Sequence, residues 1–395
     1  MAADNERSIR GKVAVAGVAE TTYYRQGRAE DSEFKMCLDA IIGAAEDAGI
    51  EVSEIDGFAS YATERSLPDR IATALGLPEH KLSNLVWGGG GGGGSGAVAN
   101  GAAAIHAGYA DVVVVYRSLA QGQYGRFGQA RGGPRAEGPG ALTQPYGVLS
   151  PAQQYAMRVR RFMHEHGVQQ EALRAVSLAS YQHAQHNPRA VMNGRPLDEA
   201  TYDASRWIVE PFHLFDCCQE NDGAAAMILV PAERARDLRQ KPAYILGAAQ
   251  GSGHRQAASA HNAPDYGTAN FKALAPRLYA QAGVGPEDVD VLQSYENFTG
   301  CVMVSIVEHG FCEPDEVNEF FTLENFSAPD GRLPLNTSGG NLAECYMHGL
   351  ELNIEAVRQI RGHSTRQVPD VEVSMVTSGP MVQPVSSVIL GSEPG

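Results

Sequence analysis

Positive charge is in short supply in this chain. Lys and Arg together number 31 against 46 Asp and Glu, which gives a net charge of −15. An acidic balance of this size argues against nucleic acid or an anionic membrane as a general partner, although local groups of arginine can still hold phosphate. Cysteine is also sparse, with 6 residues that form neither a C-x-x-C pair nor a zinc-ligand spacing. Reduced thiols, no bound metal and a cytoplasmic location are therefore predicted.

Long apolar runs are missing as well. No stretch approaches the length of a membrane-spanning helix, and residues 1–8 are too polar for a secretion signal. What remains is a chain of 395 residues, of which 43% are hydrophobic and 19% charged. This length and composition predict two compact domains, or one large duplicated one, with a substantial core.

The most unusual segment is VWGGGGGGGSGAVANGAAAIHAG at 86–108, in which the glycines at 88–94 precede a run of small residues. Glycine reaches backbone conformations closed to other residues and lets other atoms approach the chain closely. A helix that is small on every face is typically packed between other elements. The apolar run at 111–118 predicts a strand buried on both faces. The glycines are therefore interpreted as a site of close approach rather than a flexible linker.

The chain also repeats itself. AGIEVSEIDGFASY at 48–61 aligns without a gap with AGVGPEDVDVLQSY at 282–295, and each block links a predicted helix, at 33–48 and 269–282, to a strand. Further segments correspond in the same order: strands that start at 12 and 243, helices after the glycine run and at 342–361, strands at 111–118 and 370–378, and final strands at 224–230 and 384–391. Strands and helices that alternate in two copies predict an α/β protein made of two similar halves.

The repeat sets the predicted domain organisation. We expect an N-terminal half over 1–240 and a C-terminal half over 241–395. The first half contains an insertion at about 121–215, with a glycine-rich loop and amphipathic helices predicted at 153–166 and 170–183. This insertion has no counterpart in the second half, and such excursions commonly cover a substrate site.

On this duplication and on three motifs, the chain resembles the thiolase superfamily over nearly its whole length. The motifs are NDGAAAM at 221–227, YENF at 295–298 and SGGNLAECYMHG at 338–349. The resemblance implies an α/β thiolase fold, in which two βαβαβ halves with five-stranded mixed sheets pack in the layer order αβαβα.

The residues that thiolases use for catalysis are replaced here. Thiolases carry Asn-Glu-Ala-Phe where this chain has 295–298, and Gly-His-Pro where it has 345–347. Their nucleophilic cysteine starts the buried helix, where this chain has its glycines, and their acid/base cysteine belongs near TSGP at 377–380. Glycine cannot form an acyl-enzyme. Gly93, Ser95 and the backbone N–H groups at this helix start are instead predicted to contact the substrate and stabilise an anion.

Within the superfamily, this pattern is most similar to the lipid-transfer-protein (sterol carrier protein X thiolase-like) type, and there to the aldolases of bacterial steroid side-chain degradation. The resemblance implies retro-aldol cleavage of a steroid acyl-CoA that carries a tertiary 17-hydroxyl, to a ring-D ketone and propionyl-CoA. It implies no cofactor, since CoA is part of the substrate. It also implies catalytic roles for Tyr295 and Tyr346, because that group has tyrosines in both motifs.

The chemistry needs proton transfer but no nucleophile. One phenol can accept the proton of the β-hydroxyl while the other protonates the enolate carbon or stabilises its oxygen. Because an ordinary phenol has a pKa of about 10, one tyrosine needs neighbours or a proton relay, for which His348 and Glu296 are candidates. Which tyrosine is the base stays open. Glu296, Asn297 and Cys345, which lie within the same motifs, are also predicted to line the substrate site.

CoA adds a need for cations near its phosphates, and arginine suits phosphate through its planar fork. The candidates lie in the glycine-rich loop and on the helix that follows: Arg126, Arg131, Arg135, Arg158, Arg160 and Arg161. Of these, Arg126 and Arg161 are the predicted ligands.

The resemblance further implies a small OB-fold partner, possibly fused to a hydratase, and a homodimeric core within a heterotetramer. The apolar strand at 111–118 is expected to require cover from a second protomer.

Two other functions remain open from the sequence. One is a thiolase-like acyltransferase or retro-Claisen enzyme for another bulky acyl-CoA, which needs a thiol in a non-standard place, at Cys345 or Cys301. The other is a non-catalytic lipid- or acyl-CoA-binding scaffold. The missing thiolase residues favour the scaffold, whereas the polar, specific motifs at 295–298 and 345–349 argue against it.

Overall fold

The computed structural model describes residues 8–88, 90–126, 128–129, 136–255 and 264–395. Its strands are β1 (Val13–Glu20), β2 (Tyr24–Arg25), β3 (Gly57–Tyr61), β4 (Leu82–Val86), β5 (Val113–Ala120), β6 (Trp207–Val209), β7 (Phe212–His213), β8 (Asn221–Pro231), β9 (Ala243–Gly251), β10 (Val291–Ser294), β11 (Val373–Ser378) and β12 (Val385–Gly391). Its helices are α1 (Glu33–Ala48), α2 (Pro68–Leu75), α3 (Gly94–His106), α4 (Gln121–Tyr124), α5 (Pro151–His166), α6 (Gln170–Ala184), α7 (Glu199–Asp203), α8 (Ala232–Ala235), α9 (Ala275–Ala282), α10 (Thr299–Glu308), α11 (Val317–Phe320), α12 (Leu323–Phe326), α13 (Gly340–Ala343) and α14 (Leu350–Arg361).

Local sequence signals explain where the longer helices begin and end. The side chain of Ser32 accepts a hydrogen bond from the backbone N–H of Lys35 at the start of α1, and Gly49 ends that helix in a left-handed conformation. Pro151 starts α5, where the Ser150 side chain caps the helix. Gly167 ends it with positive φ. Helix α1 then packs against β1 and β8, and α5 packs against α10.

Ten of the described strands form one mixed sheet with the order β10-β11-β12-β9-β1-β8-β5-β3-β4, in which β2 also pairs with β8, while β6 and β7 form a separate antiparallel pair. The first half contributes β1, β8, β5, β3 and β4, and the second contributes β9, β12, β11 and β10. The halves join where β1 pairs with β9, through the residue pairs Ala14–Tyr244 and Val15–Ala243. Helices α3 and α14 pack against strands of both halves. The α/β class and the two similar halves predicted from the duplication are confirmed.

Several details differ from the prediction. Within its described residues, the second half has four strands in the sheet rather than five, and Leu335 forms an isolated parallel bridge to Leu292. The helix predicted over 342–361 is divided into α13 and α14, because Gly349 adopts positive φ just before α14. Strand β5 lies between β3 and β8, so it is not the open edge that was expected; β4 is the edge of this half.

Within the part of the chain that the structure describes, no helix is both long and apolar enough to cross a membrane. The same residues contain no group of three His, Cys, Asp or Glu side chains arranged to hold a metal ion.

Candidate active site

The glycine run is the place where loops of the two halves meet. A Cβ atom placed on Gly91 would lie 2.1 Å from Cζ of Tyr295, and one on Gly93 would lie 2.2 Å from Cβ of Tyr61. A Cβ on Gly92 would lie 1.8 Å from the carbonyl oxygen of Pro384. Non-bonded carbon atoms pack at about 3.5–4.0 Å, so no other residue fits at these positions. The predicted close approach to the glycine backbone is confirmed.

The two candidate catalytic tyrosines meet behind this run. The hydroxyl groups of Tyr295 and Tyr346 are hydrogen-bonded at 2.8 Å, and their ring centroids lie 6.1 Å apart. Tyr295 follows β10, where its backbone N–H donates to the carbonyl of Thr377 at 2.9 Å. Tyr346 lies in the turn between α13 and α14, where its N–H donates to Oδ1 of Asn221 at 2.5 Å. The chain therefore places two phenols from separate motifs in direct contact.

Burial sets the protonation of this pair. The pKa of Tyr295 is raised well above the ordinary value by burial and by the neighbouring Tyr346. Burial and the nearby Cys218 likewise raise the pKa of Tyr346. Both phenols are therefore neutral at physiological pH, and each can donate and accept a proton at the same time.

His348 lies against the same rings. Its ring centroid is 5.2 Å from that of Tyr346 and 6.5 Å from that of Tyr295. Nδ1 of His348 accepts a hydrogen bond from Nε of Arg117 at 3.3 Å. Burial, reinforced by the Arg117 charge, holds the pKa of His348 well below its usual range, so the imidazole is neutral.

Glu296 and Asn297 form buried hydrogen bonds next to Tyr295 in the chain. The carboxylate of Glu296 accepts hydrogen bonds from the hydroxyl of Ser180 at 3.1 Å and from the backbone N–H of Asn341 at 2.9 Å. Burial raises the pKa of Glu296 to about 7. The carbonyl of Asn297 accepts from the N–H of Cys218 at 3.2 Å. Glu296 is fully buried, and neither residue lines the cavity described next.

A cavity of about 790 Å³ opens beside Tyr346. It lies between the insertion and the segment around β2, and its inner part is lined by Tyr346, Phe298, Tyr181 and the neighbouring thiols of Cys217 and Cys218. Its arginines are Arg25, Arg28, Arg126, Arg195 and Arg206. A volume in this range accommodates a large organic ligand, so Tyr346 is accessible to a bulky molecule.

Comparisons with known proteins agree with this geometry. The chain is 39% identical to the steroid side-chain-cleaving aldolase of Thermomonospora curvata over 97% of this chain and 98% of that protein. It is 37% identical to the 17-hydroxy-3-oxo-4-pregnene-20-carboxyl-CoA lyase of Mycobacterium tuberculosis, over 97% of this chain and 100% of that enzyme. Residues 250–392 match the thiolase C-terminal domain-like family. A solved structure, the Ltp2-ChsH2(DUF35) aldolase, superposes with a TM-score of 0.90 at 38% identity, over 97% of this chain and 98% of that one.

The chain belongs to this family of aldolases. Its members act as carbon–carbon lyases on the thiolase framework. At the glycine run, the space that a side chain would need is filled by Tyr295 and Tyr61.

The aldolase framework places Gly93 and Ser95 away from the cavity. Gly93 packs against the Tyr61 ring. The Ser95 hydroxyl pairs with that of Ser378 at 2.8 Å and donates to Oδ1 of Asn353 at 3.3 Å. Ser95 therefore ties the start of α3 to the end of β11 and to α14, and its substrate contact stays a prediction.

The thiols required by the acyltransferase alternative are poorly placed. Cys345 and Cys301 are fully buried and do not line the cavity. Burial raises the pKa of both thiols well above the usual range, which suppresses the thiolate needed for attack. The thiols that do reach the cavity are Cys217 and Cys218, which the sequence did not single out.

The structure separates the two arginines predicted to hold CoA. Arg126 lines the cavity and pairs with Glu220. Arg161 points away from it and pairs with Glu165 on the same helix, at 2.6 Å. Arg158 is buried and donates to the carbonyl of Met381 at 2.7 Å. Arg131 and Arg135 lie outside the described residues.

Several residues of the site were missed in the sequence. Arg25, Arg28, Arg195 and Arg206 reach the cavity from segments distant in the chain, and no ion pair to a described carboxylate is found for them. Asn221 begins the NDGAAAM motif, so its role in holding Tyr346 had a signal. Arg117 had one too, because it is the charged residue in the apolar run of β5.

Proposed function

We propose that this chain cleaves a 17-hydroxy steroid acyl-CoA by a retro-aldol reaction, to a ring-D ketosteroid and propionyl-CoA. The observation that carries the proposal is the hydrogen bond of 2.8 Å between the hydroxyls of Tyr295 and Tyr346, at the inner end of a large cavity. The names of the relatives support the substrate class.

The two neutral phenols work as a proton wire. The 17-hydroxyl gives its proton to one phenol oxygen as that phenol passes its own proton to the other. The bond between C17 and the α-carbon of the thioester breaks, its electrons form the thioester enolate, and the second phenol protonates the α-carbon. No tyrosinate is needed, which fits the raised pKa of both side chains. Tyr346 lines the cavity and Tyr295 does not, so the substrate must approach past the Tyr346 hydroxyl for both phenols to contact it.

The phosphates of CoA bind among the arginines of the cavity mouth. Those groups gather positive charge in a chain with a net charge of −15, and most of them have no carboxylate partner among the described residues. The steroid rings then occupy the apolar interior near Phe298 and Tyr181.

A small DUF35-type protein, with the predicted OB fold, assembles with this chain and completes the substrate site. The support is the solved relative, which is an aldolase of two named components, Ltp2 and ChsH2(DUF35). A homodimer of this chain within a heterotetramer is the assembly we propose.

The experiment is to incubate the purified chain, with and without a DUF35-type protein, with the 17-hydroxy steroid acyl-CoA in D2O. Mass spectrometry should detect the ketosteroid and propionyl-CoA with one deuterium at the α-carbon, and the partner should raise turnover. Arg206→Gln should raise KM severalfold, whereas the matched Arg161→Gln, which lies outside the cavity, should not. Absence of C–C cleavage in both mixtures would contradict the proposal.

A further inference from the structure

Arg117 is a buried charged residue to which the proton wire assigns no role. Arg117 lies on β5 with its side chain fully buried, on the face of the strand that also carries Val115 and Leu119. A buried charge is costly unless it is paired and hydrogen-bonded. Arginine in this apolar layer therefore needs an explanation, and its contacts supply one.

Arg117 bridges an anchored carboxylate and the imidazole of His348. Its Nη1 pairs with Oε2 of Glu64 at 3.0 Å, and its Nε donates to Nδ1 of His348 at 3.3 Å. Glu64 is held in turn by the N–H and hydroxyl of Ser118, both at 2.8 Å, and by the N–H of Ser66 at 2.8 Å. The guanidinium is therefore fixed from one side and orients the ring on the other.

His348 is held in an unusual backbone conformation as well. Its φ is 60°, in the left-handed region that is unfavourable for a residue other than glycine. The Tyr61 hydroxyl donates to the carbonyl of His348 at 2.9 Å, which fixes the main chain on the other side of the ring. Such strain persists only where the surroundings impose it, and here two separate groups do so.

The contact with Arg117 decides which imidazole nitrogen carries the proton. Because arginine is a permanent donor, Nδ1 of a neutral His348 must accept, and the ring proton must sit on Nε2. The Nε2 edge faces the glycine run: a Cβ placed on Gly90 would lie 3.2 Å from Nε2. A neutral imidazole N–H can polarise a carbonyl oxygen without giving up its proton.

We propose that Arg117 and Glu64 are positioning residues, which lock His348 as an Nε2–H donor to the thioester oxygen of the substrate, where the enolate charge develops. The thioester oxygen is two bonds from the carbon that the phenol pair protonates. The His348 ring lies beside both phenol rings, and we place the thioester oxygen against its Nε2–H when the wire is in use. The hydrogen bond from His348 to the thioester oxygen rests on the proposed retro-aldol function.

The first test needs no substrate. Nitrogen-15 NMR of histidine-labelled protein, with His348 identified by its loss in His348→Gln, reports the tautomer directly. We expect the neutral Nε2–H form in the wild type from pH 5.5 to 8. Arg117→Met removes the donor but leaves Glu64 its hydrogen bonds from Ser118 and Ser66, so the fold should survive. In that variant the His348 signal should lose its fixed tautomer. An imidazolium or an Nδ1–H form in the wild type would overturn the proposal.

The second test is a double-mutant cycle on turnover. Arg117→Met should lower kcat by about tenfold or more with little change in KM. Loss of one hydrogen-bond donor to a developing oxyanion costs about a hundredfold to a thousandfold in kcat, and this variant misplaces the donor without removing it. The glutamine of His348→Gln has an amide donor that needs no tautomer. In that background, Arg117→Met should cost less than about twofold, because the arginine acts only through the imidazole. An equal loss in both backgrounds would assign Arg117 a merely structural role and overturn the proposal.

The control is Arg361→Met, at the far end of α14. Arg361 is also a buried arginine in an ion pair, with Asp47 at 2.9 Å, and it does not contact the site. It should lose stability but keep kcat. Should Arg117→Met not fold, Arg117→Lys provides the cycle, since lysine cannot span both partners at once. If the wild type does not cleave the acyl-CoA at all, the proposed function fails while the NMR result still decides the tautomer.

Discussion

The hydrogen bond between the hydroxyls of Tyr346 and Tyr295 can have two roles. Paired phenols can simply satisfy each other in a core, or they can move protons. The position at the end of a cavity favours proton transfer, because a pair that only packed would not need an opening to a volume of about 790 Å³. Their raised pKa argues against a tyrosinate base and in favour of a concerted transfer through neutral phenols.

Removing either hydroxyl should therefore stop the wire. Tyr346→Phe and Tyr295→Phe keep the ring and its packing, so the fold should survive. Turnover should fall by about two to four orders of magnitude in each variant, with little change in KM. The double variant should cost little more than the worse single one, because the phenols act as one unit. Near-normal kcat in both single variants would refute the phenol mechanism.

The thiols give a second test at the residue scale. A retro-aldol mechanism has no sulfur nucleophile, so a small reagent such as methyl methanethiosulfonate should leave most activity intact. A bulky maleimide should inhibit slowly, because Cys217 and Cys218 line the cavity and burial raises the pKa of both. Peptide mapping should place the inhibitory adduct on these residues. Loss of turnover in proportion to modification of Cys345 or Cys301 would instead support the acyltransferase.

At the scale of elements, the glycine run and the interrupted helix before α14 make the site. The run brings the start of α3 against Tyr295, and the break between α13 and α14 places Tyr346 and His348 in a turn instead of on a regular helix. Both features depend on glycine, either for space or for positive φ at Gly349.

Adding one methyl group to the run tests this view. In Gly91→Ala the new Cβ would collide with the Tyr295 ring, at 2.1 Å from Cζ, and must displace the phenol. Turnover should drop by at least about tenfold, since misplacement of a reacting group by about 1 Å can cost a hundredfold. Gly94→Ala is the matched control, because its Cβ would meet nothing closer than 3.3 Å. Equal activity of the two variants would contradict the packing argument.

Glu296, on the loop after β10, predicts a pH effect on stability. Its pKa of about 7 exceeds the ordinary 4.5, so the folded protein holds this proton more tightly than the unfolded chain. Its stabilising contribution is present below pH about 4.5 and is lost as the pH rises through about 7, at up to about 1.4 kcal/mol per pH unit.

The matched variant is Glu296→Gln, which cannot ionise but can keep its contacts with Ser180 and Asn341. Between pH 5 and 7.5, the thermal midpoint of the wild type should fall relative to that of the variant. Parallel midpoints in calorimetry over this range would show that Glu296 does not titrate in this interval.

For the whole molecule, the sheet order decides which surface is open. Strand β5 is paired on both sides, whereas among the described strands β4 pairs only with β3; it carries the exposed Leu85 and is followed by Trp87, which is 90% exposed. An uncovered edge next to large apolar side chains is a site for pairing with another chain. Among the described strands of this half, β4 is the one that a second protomer would cover.

We therefore expect at least a dimer, joined through β4. Light scattering at micromolar concentration should give twice the chain mass or more, and Leu85→Lys should shift the mass towards that of the monomer. Tyr109→Lys, at an exposed position in the same half but outside β4, is the control and should leave the mass unchanged. A monomeric wild type at this concentration would contradict the expectation.

Much of the architecture could be predicted from the sequence because it rests on local signals. The apolar runs and the ordered repeat placed α1, β5, β11 and β12 to within a few residues of their observed bounds. The motifs also identified Tyr295 and Tyr346, since each replaces a recognisable residue of the thiolase pattern.

The tertiary structure alone decided how these residues meet. The hydrogen bond between the phenols, the contact of Arg117 with His348 and the entry of Cys217 and Cys218 into the cavity each join segments far apart in the chain. The sequence does not distinguish Arg126 from Arg161, yet Arg126 lines the cavity and Arg161 is exposed to solvent. The direction of a side chain depends on how its element packs. Spacing along a chain determines periodicity, whereas the geometry of a site depends on long-range packing that no local pattern encodes.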